Sequence, residues 1–135
     1  MATAAYLATI ARLRARPFPA GRGYHLAELS TSEDFWEDDG TRRREAEEQY
    51  EAECEALAAA LAERWGEPQM FSLWSVFVRG MEGEEIPEPW AGLSNSVPHL
   101  YLWRVGPHWI ALGVSQWDKE LPFQLLAAIT ETNPP

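Results

Sequence analysis

Between residues 41 and 65 apolar side chains recur at steps of four, three, four and four: Tyr50, Cys54, Leu57, Leu61 and Trp65. That spacing is the buried stripe of one long amphipathic helix, and Gly66 followed by Pro68 gives it a stop. Arg43 with Glu47, and Arg44 with Glu48, add i,i+4 pairs worth a few tenths of a kcal/mol each. A narrower stripe, Tyr6, Ile10 and Leu13 with Leu7 beside it, predicts a short helix over 3–15, ended by Pro17 and Pro19. Residues 18–23 read as a Pro/Gly connector, and 24–29 are too few to assign. Over 32–40 acids alternate with Phe35 and Trp36 and close on Glu37, Asp38, Asp39 and Gly40, a helical turn or a loop.

The second half changes period. Residues 70–78 are rich in β-branched and aromatic side chains, with Trp74, Val76 and Val78 on one face and Phe71, Leu73 and Phe77 on the other. Two apolar faces predict a central strand covered on both sides. Residues 80–98 form a long connector with three prolines and four glutamates, and Trp90 lies within it. Residues 99–105 and 108–117 are two strands around Gly106-Pro107, where glycine at the first central position suits a II′ hairpin. In that register Val105 faces His108, Trp103 faces Ile110, Tyr101 faces Leu112 and His99 faces Val114. The other face pairs Arg104 with Trp109, guanidinium over indole. Pro122 suits the first position of a closing helix to about Thr130, with Phe123, Leu126 and Ile129 on one side. A last strand is the alternative, since proline also tolerates a strand start.

Helices segregated from antiparallel strands define an α+β class. The expected architecture is a single domain over 1–135: a long amphipathic helix packed on a small antiparallel sheet of three or more strands, with a short C-terminal helix. Its parts are a basic N-terminal helix and connector (1–27), an acidic helical region (28–67), and a sheet with a C-terminal element (68–135). A length of 135 residues with 46% hydrophobic composition fits one such core, and a single cysteine removes any disulfide framework.

Charge locates a surface. The net charge of −10 resolves into +4 over 1–27, −10 over 28–67 and −4 over 68–135. An acidic field of this kind repels phosphate backbones and anionic headgroups, so nucleic-acid and membrane binding are disfavoured. No run approaches the roughly 18 apolar residues of a membrane span. The N-terminus makes a poor secretory signal because its arginines follow its apolar residues. The expected compartment is the cytoplasm.

Familiar chemistry is mostly absent. Gly21-Arg22-Gly23 starts like a dinucleotide loop, but Leu26 stands where the third glycine belongs and no strand precedes it. There is no phosphate-binding loop, and the one lysine, Lys119, lies in a turn. With Gly40 at the sixth position of a calcium loop, Phe35 and Ala46 occupy positions that need Asp and Glu. Glu37, Asp38 and Asp39 are better read as carboxylates favoured by a helix N-terminus than as a cation site. Cys54 sits on the apolar stripe between Glu53 and Glu55, whose charge opposes a thiolate. His99 and His108 share a hairpin face at opposite ends, too far apart to hold one metal ion. No metal, cofactor or catalytic group is therefore assigned.

The reading that follows is a small, acidic, non-catalytic interaction domain that binds, neutralises or escorts a partner protein, a basic one fitting the charge best. Candidate contacts are Glu47, Glu51 and Glu55 on the long helix, the aromatics Trp36, Trp90 and Trp109, and Arg104. In size, acidity and element order the chain is similar to small acidic immunity, antitoxin-like and secretion-chaperone proteins, with no motif behind the likeness. The helix stripe spans about three heptads, enough for a helix-mediated homodimer. The rival is a small hydrolase-like or ligand-binding domain with a cleft near the 80–98 loop, using His99, Arg104 or His25 with a carboxylate.

Overall fold

Two hydrophobic clusters, one on each face of a single antiparallel sheet, organise the chain. The computed structural model describes residues 2–135. In chain order the elements are α1 (Ala2–Arg14), β1 (Tyr24–Thr31), α2 (Thr41–Trp65), β2 (Gln69–Ser72), α3 (Trp74–Met81), α4 (Trp90–Ser94), β3 (His99–Val105), β4 (His108–Ser115) and β5 (Gln124–Thr130). The strands lie in the order β1-β5-β4-β3-β2, every neighbour antiparallel.

The long helix has the expected bounds, and Tyr50, Cys54, Leu57 and Leu61 of its stripe are buried. With Tyr6 and Ile10 of α1 they cover Trp103, Ile110, Leu112, Leu125, Ala127 and Ile129 on one sheet face. On the other face Leu73, Val76, Trp90, Leu93 and Val97 cover Leu100, Leu102, Ala111, Leu126 and Ala128. The result is an α+β domain with helices on both faces of five strands.

The hairpin pairs as expected from Val105↔His108 to Tyr101↔Leu112, with Arg104 opposite Trp109. Gly106 has φ +60°, and the ring of Pro107 excludes the second positive φ that a I′ turn would need. Pairing stops at Tyr101, so His99 does not face Val114; it pairs with Ser72 of β2 instead.

Three expectations are corrected. Residues 70–78 are not a central strand: β2 ends at Ser72, lies at the sheet edge, and gives way to α3. A strand would put Trp74 and Val76 on one face, yet Trp74 is 69% exposed and Val76 is buried. The inward positions, Leu73 and Val76, are three apart, which is helical spacing. The closing helix is likewise a strand, β5. Leu125, Leu126, Ala127, Ala128 and Ile129 are all buried because β5 lies inside the sheet between two helical layers. A continuous apolar run of that length fits either a buried helix or a two-faced strand, and sheet position decides. Finally, the 80–98 connector contains α4, whose Trp90 is fully buried.

Candidate functional site

The acidic face of α2 does not pack flat on the sheet. Where the helix passes over β3 and β4 it leaves an open cleft of ≈ 370 Å³. Glu47, Glu51 and Glu55, one helical turn apart, form one wall; Tyr101, Leu112 and Phe123 line the sheet side, with His99 among the rim residues. The stripe that buries Cys54 and Leu57 fixes the rotation of α2, and these glutamates flank that stripe.

Arg43 closes one end. Its guanidinium donates from Nη2 to Gln116 Oε1 at 2.9 Å, lies 3.6 Å from Glu47 Oε2 through Nη1, and sits 5.6 Å from the centre of the Phe123 ring. Glu47 is thus partly neutralised, whereas Glu51 and Glu55 have no ion-pair partner among the described residues. The cleft shows the field of these acids. Burial, with Cys54, Glu55 and Glu51 close by, pushes the Tyr101 hydroxyl above its ordinary value. Burial, followed by the charges of Glu55 and Glu51, pushes the Cys54 thiol up to about 12. At neutral pH Cys54 is a protonated, inert side chain in the cleft wall, not a nucleophile.

The N-terminus of α2 is satisfied internally. Asp39 Oδ1 accepts from the Thr41 amide at 3.0 Å, and Asp38 accepts from the amides of Arg42 and Arg43 at 3.2 and 2.9 Å. Desolvation pushes the Asp38 carboxyl up, but these backbone donors outweigh it and hold it below the ordinary carboxylate value. Both carboxylates are engaged as caps. Among the described residues no group of three or more His, Cys, Asp and Glu side chains is placed to hold a metal ion.

The candidates named from sequence fall into separate places. Glu47, Glu51 and Glu55 share the cleft. Trp36 is 61% exposed in the loop before α2, beside Asp39 and Lys119. Arg104 lies 5.0 Å over the Trp109 indole on the opposite sheet face, and both reach Asn133 Oδ1. Trp90 is out of reach of any partner, buried with its indole N–H donated to the Thr132 carbonyl at 3.2 Å. The histidines separate too. His99 is at the cleft, while His25 and His108 flank Phe18, their ring centres 5.1 and 5.8 Å from its own.

Neither Tyr101 nor Phe123 is marked as a cleft residue by the sequence: strand alternation makes Tyr101 core-facing, and the expected closing helix puts Phe123 on its apolar side. The Arg43–Glu47 spacing was the one visible signal for the closed end. No protein-family model matches this chain, and no curated protein or solved structure matches it either. The fold and the cleft therefore define only a class, a two-faced α+β domain with an acidic cleft under its longest helix.

Proposed function

We propose that this protein is a non-catalytic binding domain whose cleft receives a basic segment of a partner protein. The observation that carries the reading is the pair of unpaired carboxylates, Glu51 and Glu55, facing an apolar and aromatic sheet surface. A Lys or Arg side chain lays its methylene stem on such a surface and puts its charge against the carboxylates. The raised thiol of Cys54 supports a non-catalytic role for this side chain, since it is held protonated. The unpaired single cysteine supports a reducing compartment, and the cytoplasm is our assignment. The net charge of −10 argues against nucleic acid as the partner.

The test is affinity capture from the native source with the wild-type chain and a Glu51→Gln/Glu55→Gln variant, followed by direct titration of the captured protein. The reading expects a basic partner that binds the wild type, weakens as salt rises, and loses at least about tenfold in affinity with the variant. Unchanged affinity in the variant refutes it. A cleft of this volume also lies in the range of roughly 300 to 1,000 Å³ that holds small ligands. Displacement of His99 resonances by a small cationic metabolite, with no protein captured, would favour that second reading.

A further inference from the structure

We infer that the outer face of α3 is a docking surface for a cationic amphipathic helix of a partner protein. This surface lies on the sheet face opposite the α2 cleft and is independent of the reading above. Helix α3 turns Val76 into the core and leaves Trp74 and Met81 exposed, the former 69% and the latter 74%. Trp74 and Met81 are seven positions apart, so they share one face over two turns. Phe77 stacks on Trp74 with ring centres 5.9 Å apart, extending the apolar strip between them. Trp74 and Met81 are two of the six large hydrophobic side chains exposed among the described residues, and the two most exposed of them.

An apolar ridge of two turns, with a shallow groove beside Phe77, Met81 and Ile86, has the dimensions of a helix-in-groove contact. Charge selects the occupant. Directly after α3 come Glu82, Glu84 and Glu85, with Glu84 in the groove lining, against the single cation Arg79. Arg79 is already held by Glu84 in a two-pronged ion pair. The rim is therefore acidic, and a second copy of this chain would bring a like-charged rim against it. A helix with an apolar stripe and Lys or Arg at its borders complements both parts.

The probe is a synthetic helix of leucine and lysine in amphipathic order, titrated against the full chain by tryptophan fluorescence and calorimetry. Saturable binding is expected, lost when serine replaces the leucines and lost when glutamate replaces the lysines. Trp74→Ala and Met81→Ala should each weaken binding by about tenfold, whereas Trp117→Ala, at an exposed tryptophan outside this face, should leave it unchanged. Both patch side chains are exposed, so circular dichroism and urea midpoints near wild type will show that the variants fold. Equal binding by wild type and the patch variants overturns the proposal. So does a concentration-dependent dimer abolished by Trp74→Ala, because the face is then covered by a second copy. Trp74-dependent binding to neutral phosphatidylcholine vesicles without a response to the peptide also overturns it.

Discussion

Replacing Trp90 with alanine separates a core role from a surface role for this residue. Its side chain is fully buried between α4 and the sheet, with Phe71 edge-on to it at 6.2 Å between ring centres. A buried tryptophan removes on the order of 200 Å² from water, which at about 25 cal/mol per Å² is roughly 5 kcal/mol. Compactness of the unfolded chain and the methyl that alanine keeps reduce this to about 3 kcal/mol. The Thr132 carbonyl, left without its indole donor, adds about 1 kcal/mol. The expected loss is about 4 kcal/mol, inside the range of roughly 3 to 5 for large aromatic truncations. A domain of this length has on the order of 7 to 20 kcal/mol in total, so the variant still folds. Its melting temperature should fall by about 14 °C, given roughly 2.1 cal/mol/K of unfolding entropy per residue. Urea titration followed by the fluorescence of the other six tryptophans measures the difference directly. Trp90→Phe should lose only about 1 to 2 kcal/mol, since most of the apolar body remains. A loss below about 1 kcal/mol for the alanine variant would refute the burial argument and return Trp90 to the surface.

The remaining expectations concern backbone approach and pH. A methyl on Gly113 would lie 2.8 Å from Val97 Cγ1, 2.9 Å from Leu100 Cδ2 and 3.1 Å from the His99 carbonyl. Gly113→Ala should therefore destabilise by about 1 to 3 kcal/mol, measured by urea unfolding; a neutral or stabilising change contradicts that packing. The Cys54 thiol is raised from 9.0 to about 12, so the folded chain keeps its proton where the unfolded chain loses it. Its contribution is complete below pH 9 and is lost as pH rises towards 12, at up to about 1.4 kcal/mol per pH unit. Cys54→Ala should flatten the alkaline limb of stability against pH, and an unaltered slope would refute the assignment. Asp38 has the opposite sign: its contribution is present above the ordinary value of 3.8 and is lost as pH falls through the depressed one. Asp38→Asn should flatten the acid limb in thermal melts, and identical acid limbs would count against the cap.

How much was legible follows from how local each signal is. The bounds of α2 and the hairpin register depend on spacing and turn chemistry within a few residues, and both were readable. The two misassigned segments, 70–78 and 122–130, are apolar on every side, so period could not separate helix from strand. What separates them is where they lie: β5 between two strands under two helical layers, and α3 on the outside of the second cluster. Likewise Glu47, Glu51 and Glu55 could be placed on one helix face from spacing alone. That Tyr101 and Phe123 lie across from them depends on how the sheet is ordered, which no local pattern encodes. Trp90 was misjudged for the same reason, since a loop position implied exposure until α4 and the second cluster were in place.

The strand order carries a consequence for how the chain assembles. The Thr130 hydroxyl donates to the Gly23 carbonyl 107 residues away, and among the described residues β1 has its one sheet neighbour in β5, the last of the five strands in chain order. Closing that loop costs about 3 kcal/mol more than closing the β3–β4 hairpin, by the logarithmic dependence on length. During synthesis β1 is left without its sheet neighbour over the whole stretch until β5 emerges, although α1 and α2 already contact each other and α2 meets β3 and β4 before β5. The acidic block of residues 28–67 falls within that stretch, and its mutual repulsion opposes clustering of unfinished chains. Three of those acids, Glu47, Glu51 and Glu55, face the cleft in the finished domain, so one block of charge acts on the chain both before and after β5 is in place.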